Sequence, residues 1–258
     1  MKSLKNVKCF LLDMDGTICL DNDVFDGAVD AVERMKKQGR VLFLTNNSSK
    51  SAVDYLNKLN RMGFKVTMDN IYTSAMATIS FLNRDYRGKR IFLFGNATTR
   101  EEFIAGGINV VEESPDLIVI AFDTTFSYDR LEKLCNFIRD GVPFICTHDD
   151  INCPTAIGYK PDVGSYLALI EKSTGKKPLL VCGKPYTVMG DCIKELCNLT
   201  PHEIAMFGDR LATDVKFGVA NDFVSVMVLT GEATLDDAKA SGLNIDYILP
   251  SITQWDEQ

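Results

Sequence analysis

Short apolar runs that favour β-strands alternate with amphipathic helical stretches along the whole chain. The segment KCFLLDMD predicts a strand, and AVDAVERMKKQG predicts a helix that ends at Gly39. RVLFLTNN then predicts a second strand, and SKSAVDYLNKLNRMG a second helix, which Gly63 ends. This alternating order predicts a parallel sheet covered by helices, so the fold class is α/β. Ligands are expected beyond the carboxyl ends of the strands.

Composition excludes several classes of protein. The 258 residues suffice for one large domain or two modest ones, and the net charge of −7 gives no general attraction for anions. Lys and Arg form no basic run, so a nucleic acid polymer is not expected as a partner. No apolar segment reaches the length of a membrane span, and no signal peptide is recognisable. Eight cysteines without a CxxC pair, and only two histidines, favour reduced thiols over zinc sites. The chain is expected to be a cytoplasmic enzyme or binding protein.

Polar side chains follow four of the apolar runs, where carboxyl ends of parallel strands would meet at one edge of a sheet. They are Asp13 and Asp15 after the first run, Thr45 and Asn46 after the second, Lys184 after PLLVC, and Asp209 and Asp214 after EIAMF. Two unit charges about 4 Å apart repel by roughly 4 kcal/mol at an effective dielectric near 20, so clustered aspartates require a counter-charge. Carboxylates with few histidines indicate Mg²⁺, which together with a lysine would bind a phosphate dianion.

Simpler interpretations exist for each cluster by itself. Asp13 or Asp15 could be the N-cap of a helix, and Thr45 with its neighbours could cap the helix that follows. Lys184 could be a solvated lysine, and Asp214 could belong to the first turn of a helix. These alternatives explain single residues, whereas the order of all four clusters favours one site.

The four motifs resemble those of the haloacid dehalogenase-like (HAD) superfamily: Asp-x-Asp-Gly-Thr at Asp13, Thr45, Lys184, and Gly-Asp-x-x-x-x-Asp at Asp209. LTNNSSKS, YTSAMAT, GKP and GDRLATD resemble more narrowly its NagD-like, C2-capped phosphatases of subfamily IIA, which are p-nitrophenyl phosphatase-like. This resemblance implies a Rossmann-like parallel-sheet core of residues 1–76 and 181–258 and an inserted α/β C2 cap domain of residues 77–180. It also implies a hydrolase of phosphoric monoester bonds.

The resemblance assigns catalytic and metal-binding roles to four aspartates. Asp13 is expected to be the nucleophile, which forms an aspartyl-phosphate. Asp15 is expected to protonate the leaving alcohol and then to activate water. Mg²⁺ is expected to bind Asp13, the backbone carbonyl of Asp15 and Asp209, with Asp214 bound directly or through water.

The same resemblance implies how the phosphoryl group is bound. Thr45 and Asn46 are expected to hold phosphoryl oxygens, and Lys184 to neutralise the nucleophile and the phosphate. Gly16 has no side chain, so the backbone N–H groups of its loop are expected to approach the phosphate.

The loop CTHDDINCPTAIGYKP is the most suggestive part of the segment that corresponds to the cap. It matches the family's Thr-Asn-x-Asp stretch at Thr147 and Asp150, with His148 where Asn is usual. An imidazole can stack, donate or accept a proton, so His148 and Asp150 are candidates for substrate specificity. A plain polar loop with a capping Asp is the alternative.

The leading interpretation is a Mg²⁺-dependent phosphatase for small phosphorylated metabolites. Nucleoside monophosphates, sugar or polyol phosphates and pyridoxal phosphate all stay open, as does a homodimer. A phosphoryl-transfer mutase of the same superfamily and a non-catalytic phospho-sensor are the alternatives. Asp15 argues against a dehalogenase, and Asp15 together with the extra domain argues against a sensor.

Overall fold

The chain forms two units, described by a computed structural model over residues 2–155 and 158–257. The core unit comprises Met1–Thr45, Ala52–Tyr72 and Lys184–Gln258, and the inserted unit comprises Asn46–Ser51 and Thr73–Gly183. The domain limits inferred from the sequence, 76/77 and 180/181, stay a prediction. Contacts group the short segment 46–51 with the inserted unit.

Strands and helices alternate as the sequence pattern indicates. The strands are β1 Cys9–Leu12, β2 Cys19–Leu20, β3 Asp23–Val24, β4 Arg40–Thr45, β5 Ile71–Thr73, β6 Arg90–Phe94, β7 Asn109–Val110, β8 Leu117–Ile120, β9 Phe144–Cys146, β10 Asn152–Thr155, β11 Gly158–Pro161, β12 Ile204–Gly208, β13 Val224–Val228 and β14 Tyr247–Leu249. The α-helices are α1 Ala28–Gln38, α2 Ala52–Arg61, α3 Ser74–Asp85, α4 Ala97–Ala105, α5 Tyr128–Arg139, α6 Val163–Thr174, α7 Thr187–Cys197, α8 Lys216–Ala220 and α9 Leu235–Ala240.

A six-stranded sheet in the order β14-β13-β12-β1-β4-β5 forms the centre of the core unit. β1 pairs in parallel with β12 and with β4, so that Leu12 lies opposite both Phe207 and Phe43. All four residues of β1 are buried, as expected for a central strand covered on both faces. The predicted α/β fold with a parallel-sheet core is confirmed. The arrangement places the ends of β1, β4 and β12 side by side.

The inserted unit has a parallel sheet of its own, in the order β7-β6-β8-β9. Its apolar core is built around the buried rings of Phe92, Phe94, Phe122 and Phe144. An antiparallel hairpin, β10 and β11, pairs Asn152 with Pro161. The prediction of a second α/β unit is therefore confirmed.

The run PLLVC, which was predicted to be a strand of the site-bearing sheet, follows β9 of the inserted unit instead. Only Val181 forms a β-bridge, with Cys146. Hydrogen bonds from the N–H groups of Leu179 and Cys182 to the carbonyls of Phe144 and Cys146 (2.8 and 2.9 Å) hold the run beside that strand. β9 is the edge of its sheet, so its open side accepts this short run. Lys184 therefore does not follow a strand of the core sheet.

The eight cysteines are free thiols in the structure, and six of them are buried. Within the described residues, no helix combines the length and the apolarity that a membrane span requires.

Candidate active site

A buried lysine links two of the predicted site aspartates. The ammonium Nζ of Lys184 donates to Oδ1 of Asp13 and to Oδ1 of Asp214, at 2.6 Å in each case. Lys184 is 2% exposed and Asp214 is 1% exposed. A lysine this deeply buried stays charged only with such partners. Asp13 directly follows β1, and its N–H donates to the carbonyl of Phe207 at 2.9 Å, which fixes its backbone against β12.

Asp209 completes a group of three carboxylates. Asp13, Asp209 and Asp214 each offer one oxygen, and these oxygens lie within 4.8 Å of one another. Oδ2 of Asp209 accepts a hydrogen bond from the N–H of Glu232 at 2.7 Å, whereas Oδ1 is buried and has no hydrogen-bond partner among the described residues. A buried carboxylate oxygen without a partner is costly, and an all-oxygen set suits a hard divalent cation. The residues present therefore fit Mg²⁺.

Burial and repulsion between the carboxylates both act on the pKa values of this group. Burial, together with the charge of Asp13, raises the pKa of Asp214 to about 7, although Lys184 opposes the shift. Burial and Asp13 also raise the pKa of Asp209. Burial alone would lower the pKa of Lys184, but Asp13 and Asp214 outweigh it and hold the pKa above its ordinary value. The Lys184 ammonium and the nearby Arg210 guanidinium do not cancel these upward shifts, so a further cation would stabilise the group.

Three glycines leave space for the carboxylates. A Cβ on Gly208 would lie 2.1 Å from the Cβ of Asp214. A Cβ on Gly16 or on Gly231 would lie 2.3 or 2.0 Å from Oδ2 of Asp209. Gly16 also has a left-handed backbone, with φ of +90°. The side chains of Asp209 and Asp214 thus pack directly against bare backbone, which only glycine permits.

Asp15 lies apart from the three-carboxylate group. Its side chain is 57% exposed, and Oδ1 lies 3.6 Å from Nζ of Lys58. The same oxygen accepts a hydrogen bond from the N–H of Asp21 at 3.1 Å. An exposed carboxyl of this kind can exchange protons with solvent or with a bound alcohol. The metal role expected for this residue concerns its backbone carbonyl and not this side chain.

Gly16 and Thr45, the other phosphate-binding candidates of the core unit, lie in the turn after β1 and at the end of β4. The N–H of Gly16 donates to the carbonyl of Cys19 at 2.7 Å, so a phosphate contact from this N–H would have to replace that bond. The close approach of Asp209 is the reason for glycine at this position. Thr45 is the last residue of β4 and is 8% exposed.

Asn46 and Asp150, predicted separately as phosphate-binding and specificity residues, contact each other in the inserted unit. Nδ2 of Asn46 donates to Oδ2 of Asp150 at 3.1 Å. A Cβ on Gly183 would lie 2.6 Å from Oδ1 of Asn46, so the amide packs against the glycine of the GKP triplet. The orientation of the Asn46 amide therefore depends on Asp150.

His148, the other specificity candidate, is fully buried. Its Nδ1 lies 2.9 Å from Oγ1 of Thr147, and its Nε2 lies 2.9 Å from Oδ1 of Asp162. Oγ of Ser48 lies 3.0 Å from Oγ1 of Thr147 and extends the network. Asp162, His148 and Thr147 follow the order of carboxylate, imidazole and hydroxyl in a hydrolase triad. His148 is fully buried, so its imidazole cannot contact a substrate directly. An effect of His148 on substrate choice would have to pass through these partners.

The segment after β13 contributes contacts that the sequence analysis did not assign. Oγ1 of Thr230 donates to the carbonyl of Gly16 at 2.6 Å. Nε of Arg210 lies 3.2 Å from Oε2 of Glu232, whose N–H holds Asp209. Charge from Asp13 and Glu232 raises the pKa of Arg210 despite its burial. The available signal was the apolar run FVSVMVL followed by Thr-Gly, a strand end of the same kind as those that carry Asp13, Thr45 and Asp209.

Two family models match the chain. The model described as haloacid dehalogenase-like hydrolase matches residues 10–109, and the model described as HAD-hydrolase-like matches residues 181–255. Together they include every core-unit residue of the site described above. Among curated proteins, an acid sugar phosphatase of Staphylococcus saprophyticus is 29% identical over 253 residues, which are 97% of each chain.

Solved structures similar to this chain extend over almost its whole length. A 4-nitrophenylphosphatase from Thermotoga maritima is 41% identical with a TM-score of 0.94, over 99% of this chain and 98% of that one. A putative NagD protein is 41% identical with a TM-score of 0.92, over 98% and 99%. A glycerol phosphate phosphatase from Mycobacterium tuberculosis, crystallised with magnesium, is 29% identical with a TM-score of 0.90, over 99% of this chain and 78% of that one.

Proposed function

This chain is a phosphomonoester hydrolase of the NagD-like group of haloacid dehalogenase-like hydrolases, and we propose that it works with Mg²⁺ through an aspartyl-phosphate on Asp13. Its substrates are small phosphate esters. The observation that carries the proposal is the buried ammonium of Lys184 between Asp13 and Asp214, together with Oδ1 of Asp209, which no described residue contacts by a hydrogen bond. The carboxylates and Oδ1 of Asp209 would bind a cation. The cation and the Lys184 ammonium would together bind a phosphate.

Asp13, Asp209, Asp214 and the backbone carbonyl of Asp15 would hold the Mg²⁺ ion. The ion would supply positive charge against the phosphate dianion and the developing charge of the transition state. The unpartnered oxygen of Asp209 and the raised pKa of Asp214 support this assignment, as does the magnesium in the glycerol phosphate phosphatase structure.

Hydrolysis would take two steps at Asp13. A carboxylate oxygen of Asp13 attacks the phosphorus, the bond to the alcohol oxygen breaks, and Asp15 gives that oxygen a proton. Asp15 then takes a proton from water, which attacks the same phosphorus and releases inorganic phosphate from Asp13. Lys184 holds Asp13 in place throughout and offsets its charge and that of the phosphate.

The phosphoryl oxygens would be bound in the core unit by Lys184, the hydroxyl of Thr45 and the turn at Gly16, whereas the phosphate-binding role of the Asn46 amide, in the inserted unit, stays a prediction. The hydrogen bond from Asn46 to Asp150 supports a role for Asp150 in orienting that amide. His148 would act on specificity through Thr147 and Asp162 and not by touching the substrate.

Sugar and polyol phosphates are the substrate class that we favour. The curated relative named above is an acid sugar phosphatase, and one structural neighbour is a glycerol phosphate phosphatase. Nucleoside monophosphates stay within the class to be tested.

The expected homodimer and the cytoplasmic location stay predictions. The described contacts do not favour the mutase or the phospho-sensor interpretation.

Release of inorganic phosphate from a panel of sugar, polyol and nucleoside monophosphates tests the proposal. We expect turnover with MgCl₂, loss of turnover in EDTA, and recovery when Mg²⁺ is restored. Asp13→Asn should abolish turnover in a folded protein, whereas Asp30→Asn, at an exposed position of α1, should keep it. Turnover by the folded Asp13→Asn protein would refute the proposal, and isomerised esters without phosphate release would favour the mutase.

A further inference from the structure

The segment that follows β13 contacts two separate parts of the candidate site. Oγ1 of Thr230 donates to the carbonyl oxygen of Gly16 at 2.6 Å. Two residues later, the N–H of Glu232 donates to Oδ2 of Asp209 at 2.7 Å. The N–H of Ala233 donates to the backbone carbonyl of Asp209 at 3.3 Å. One short stretch of chain thus holds both the turn after β1 and the loop after β12.

The two contacts fix groups that the proposed cation needs. Because Glu232 occupies Oδ2 of Asp209, the buried Oδ1 is the oxygen left for a ligand. Gly16 directly follows Asp15, whose backbone carbonyl is a proposed ligand, and its left-handed φ of +90° belongs to the turn that connects β1 to β2. A hydrogen bond to the carbonyl of Gly16 restrains the orientation of this turn. Gly231, between the two contacts, allows the segment to approach Asp209.

We propose that Thr230 is a positioning residue for the cation: its hydroxyl holds the Asp15–Gly16 turn against the Asp209 loop. This inference rests on the proposed Mg²⁺ site. The observed contact of the Thr230 hydroxyl is with the carbonyl of Gly16, so the role that we assign to it is positioning and not ligation. It would keep the Asp15 carbonyl and Asp209 in one arrangement before the ion binds. This preorganisation lowers the entropic cost of binding.

Removal of the hydroxyl should weaken Mg²⁺ binding without unfolding the protein. Thr230→Val keeps the shape of the side chain but cannot donate, so the Gly16 carbonyl loses its partner. We expect the Kd for Mg²⁺ to rise about tenfold, the change that corresponds to about 1.4 kcal/mol. Thr230→Ser restores a hydroxyl and should bring the Kd close to that of the wild type.

Calorimetric titration of the metal-free protein with MgCl₂, without substrate, measures this effect. Thr234→Val is the matched control, because it removes a hydroxyl four residues away that caps α9 and accepts a hydrogen bond from Asp237. It should lower the Tm and leave the Kd for Mg²⁺ unchanged. Should valine at position 230 prevent folding, Thr230→Ala, which only removes atoms, takes its place.

The outcomes separate this inference from the proposed function. If the wild type binds no Mg²⁺, or if Asp209→Asn binds it as well as the wild type, the proposed cation site is wrong and this inference fails with it. If Asp209→Asn loses Mg²⁺ but folded Thr230→Val retains the wild-type Kd, only the role of Thr230 is refuted. A tenfold weaker Kd that serine restores supports the inference.

Discussion

Lys184 and Asp214 form an ion pair, with 2.6 Å between Nζ and Oδ1, in which the two side chains are only 3% and 1% exposed. The same ammonium lies 2.6 Å from Oδ1 of Asp13. An isolated charge at such a depth would cost several kcal/mol, so each member of this group depends on the others. Loss of one member of the group would therefore destabilise the protein and disturb the chemistry proposed for Asp13.

Lys184→Met should destabilise the protein strongly. The substitution leaves two carboxylates without a counter-charge, and breaking a buried pair on one side costs about 3–5 kcal/mol. Urea denaturation in EDTA at pH 8 measures the change. Lys177→Met is the control: Lys177 lies 3.3 Å from Glu171 with its side chain 74% exposed, and its loss should cost less than about 1 kcal/mol. Equal effects of the two substitutions would contradict the prediction.

The metal-free protein should become less stable as the pH rises towards 7. Burial and the charge of Asp13 raise the pKa of Asp214 from an ordinary 3.8 to about 7, against the effect of Lys184. A carboxyl with a raised pKa contributes stability that is fully present below its unfolded pKa and is lost as the pH rises through the folded one. In EDTA the Tm should therefore fall between about pH 4 and about pH 7.

Asp214→Asn provides the check on this pH dependence. The amide does not titrate, so the fall in Tm should be smaller than in the wild type over the same pH range. The proposed Mg²⁺ ion would bind the ionised carboxylate, so its affinity for the wild type is expected to rise across that range. An unchanged slope in the folded Asp214→Asn protein would show that another group is responsible.

Gly16→Ala should disrupt the site, whereas Gly141→Ala should only lower stability. The two glycines have φ of +90° and +91°, so alanine costs each about 1–2 kcal/mol of backbone strain. At Gly16 the new Cβ would lie 2.3 Å from Oδ2 of Asp209, whereas at Gly141 no atom of the described residues lies within 4 Å of it. Displacement of a ligand by about 1 Å can lower the rate about 100-fold.

Steady-state kinetics at saturating MgCl₂, together with the Tm of both variants, measures these effects. We expect a loss of Tm in both, larger in Gly16→Ala because its Cβ also overlaps Asp209, and a loss of kcat in Gly16→Ala alone. A Gly16→Ala enzyme with wild-type kcat would mean that Asp209 need not pack against bare backbone.

His148→Phe should destabilise the inserted unit. It removes one hydrogen bond from Asp162 and one from Thr147, at about 1 kcal/mol for each bond, while the N–H of Val163 and the hydroxyl of Ser48 remain as their partners. His202 offers a matched control, since its Nε2 lies 2.9 Å from Asp222, as close as the buried pair, but both side chains are more than half exposed. His202→Phe should change stability by less than about 0.5 kcal/mol. Comparable shifts in the urea midpoints of the two variants would refute the buried network as a source of stability.

Much of the core was predictable because its signals are local. The apolar run before Asp13 is fully buried as β1, and α1 ends at Gln38 with Gly39 as its cap, as the pattern indicated. The spacing of Asp209 and Asp214 after β12 was sufficient to predict that they approach Asp13, because parallel strands end at one edge.

The features that the sequence did not reveal depend on packing between distant segments. Lys184 was expected to follow a core strand, but PLLVC follows the open edge of β9, a choice that local propensity does not determine. Thr230 and Gly231 form an ordinary Thr-Gly pair until the loop of Asp209 is placed beside them. The sequence predicts a polar loop around His148. The tertiary structure shows that both ring nitrogens of His148 have hydrogen-bond partners, Thr147 and Asp162.

A direct test of the central claim is the identification of the phosphorylated residue during turnover. Enzyme turning over 4-nitrophenyl phosphate with MgCl₂ is quenched in acid and treated with borohydride, which reduces an aspartyl-phosphate to homoserine. Peptide mass spectrometry is expected to find homoserine at position 13 and at no other aspartate, and to find none when EDTA is present. An active enzyme whose phosphate is trapped on another residue would contradict the role of Asp13 and the account built on it.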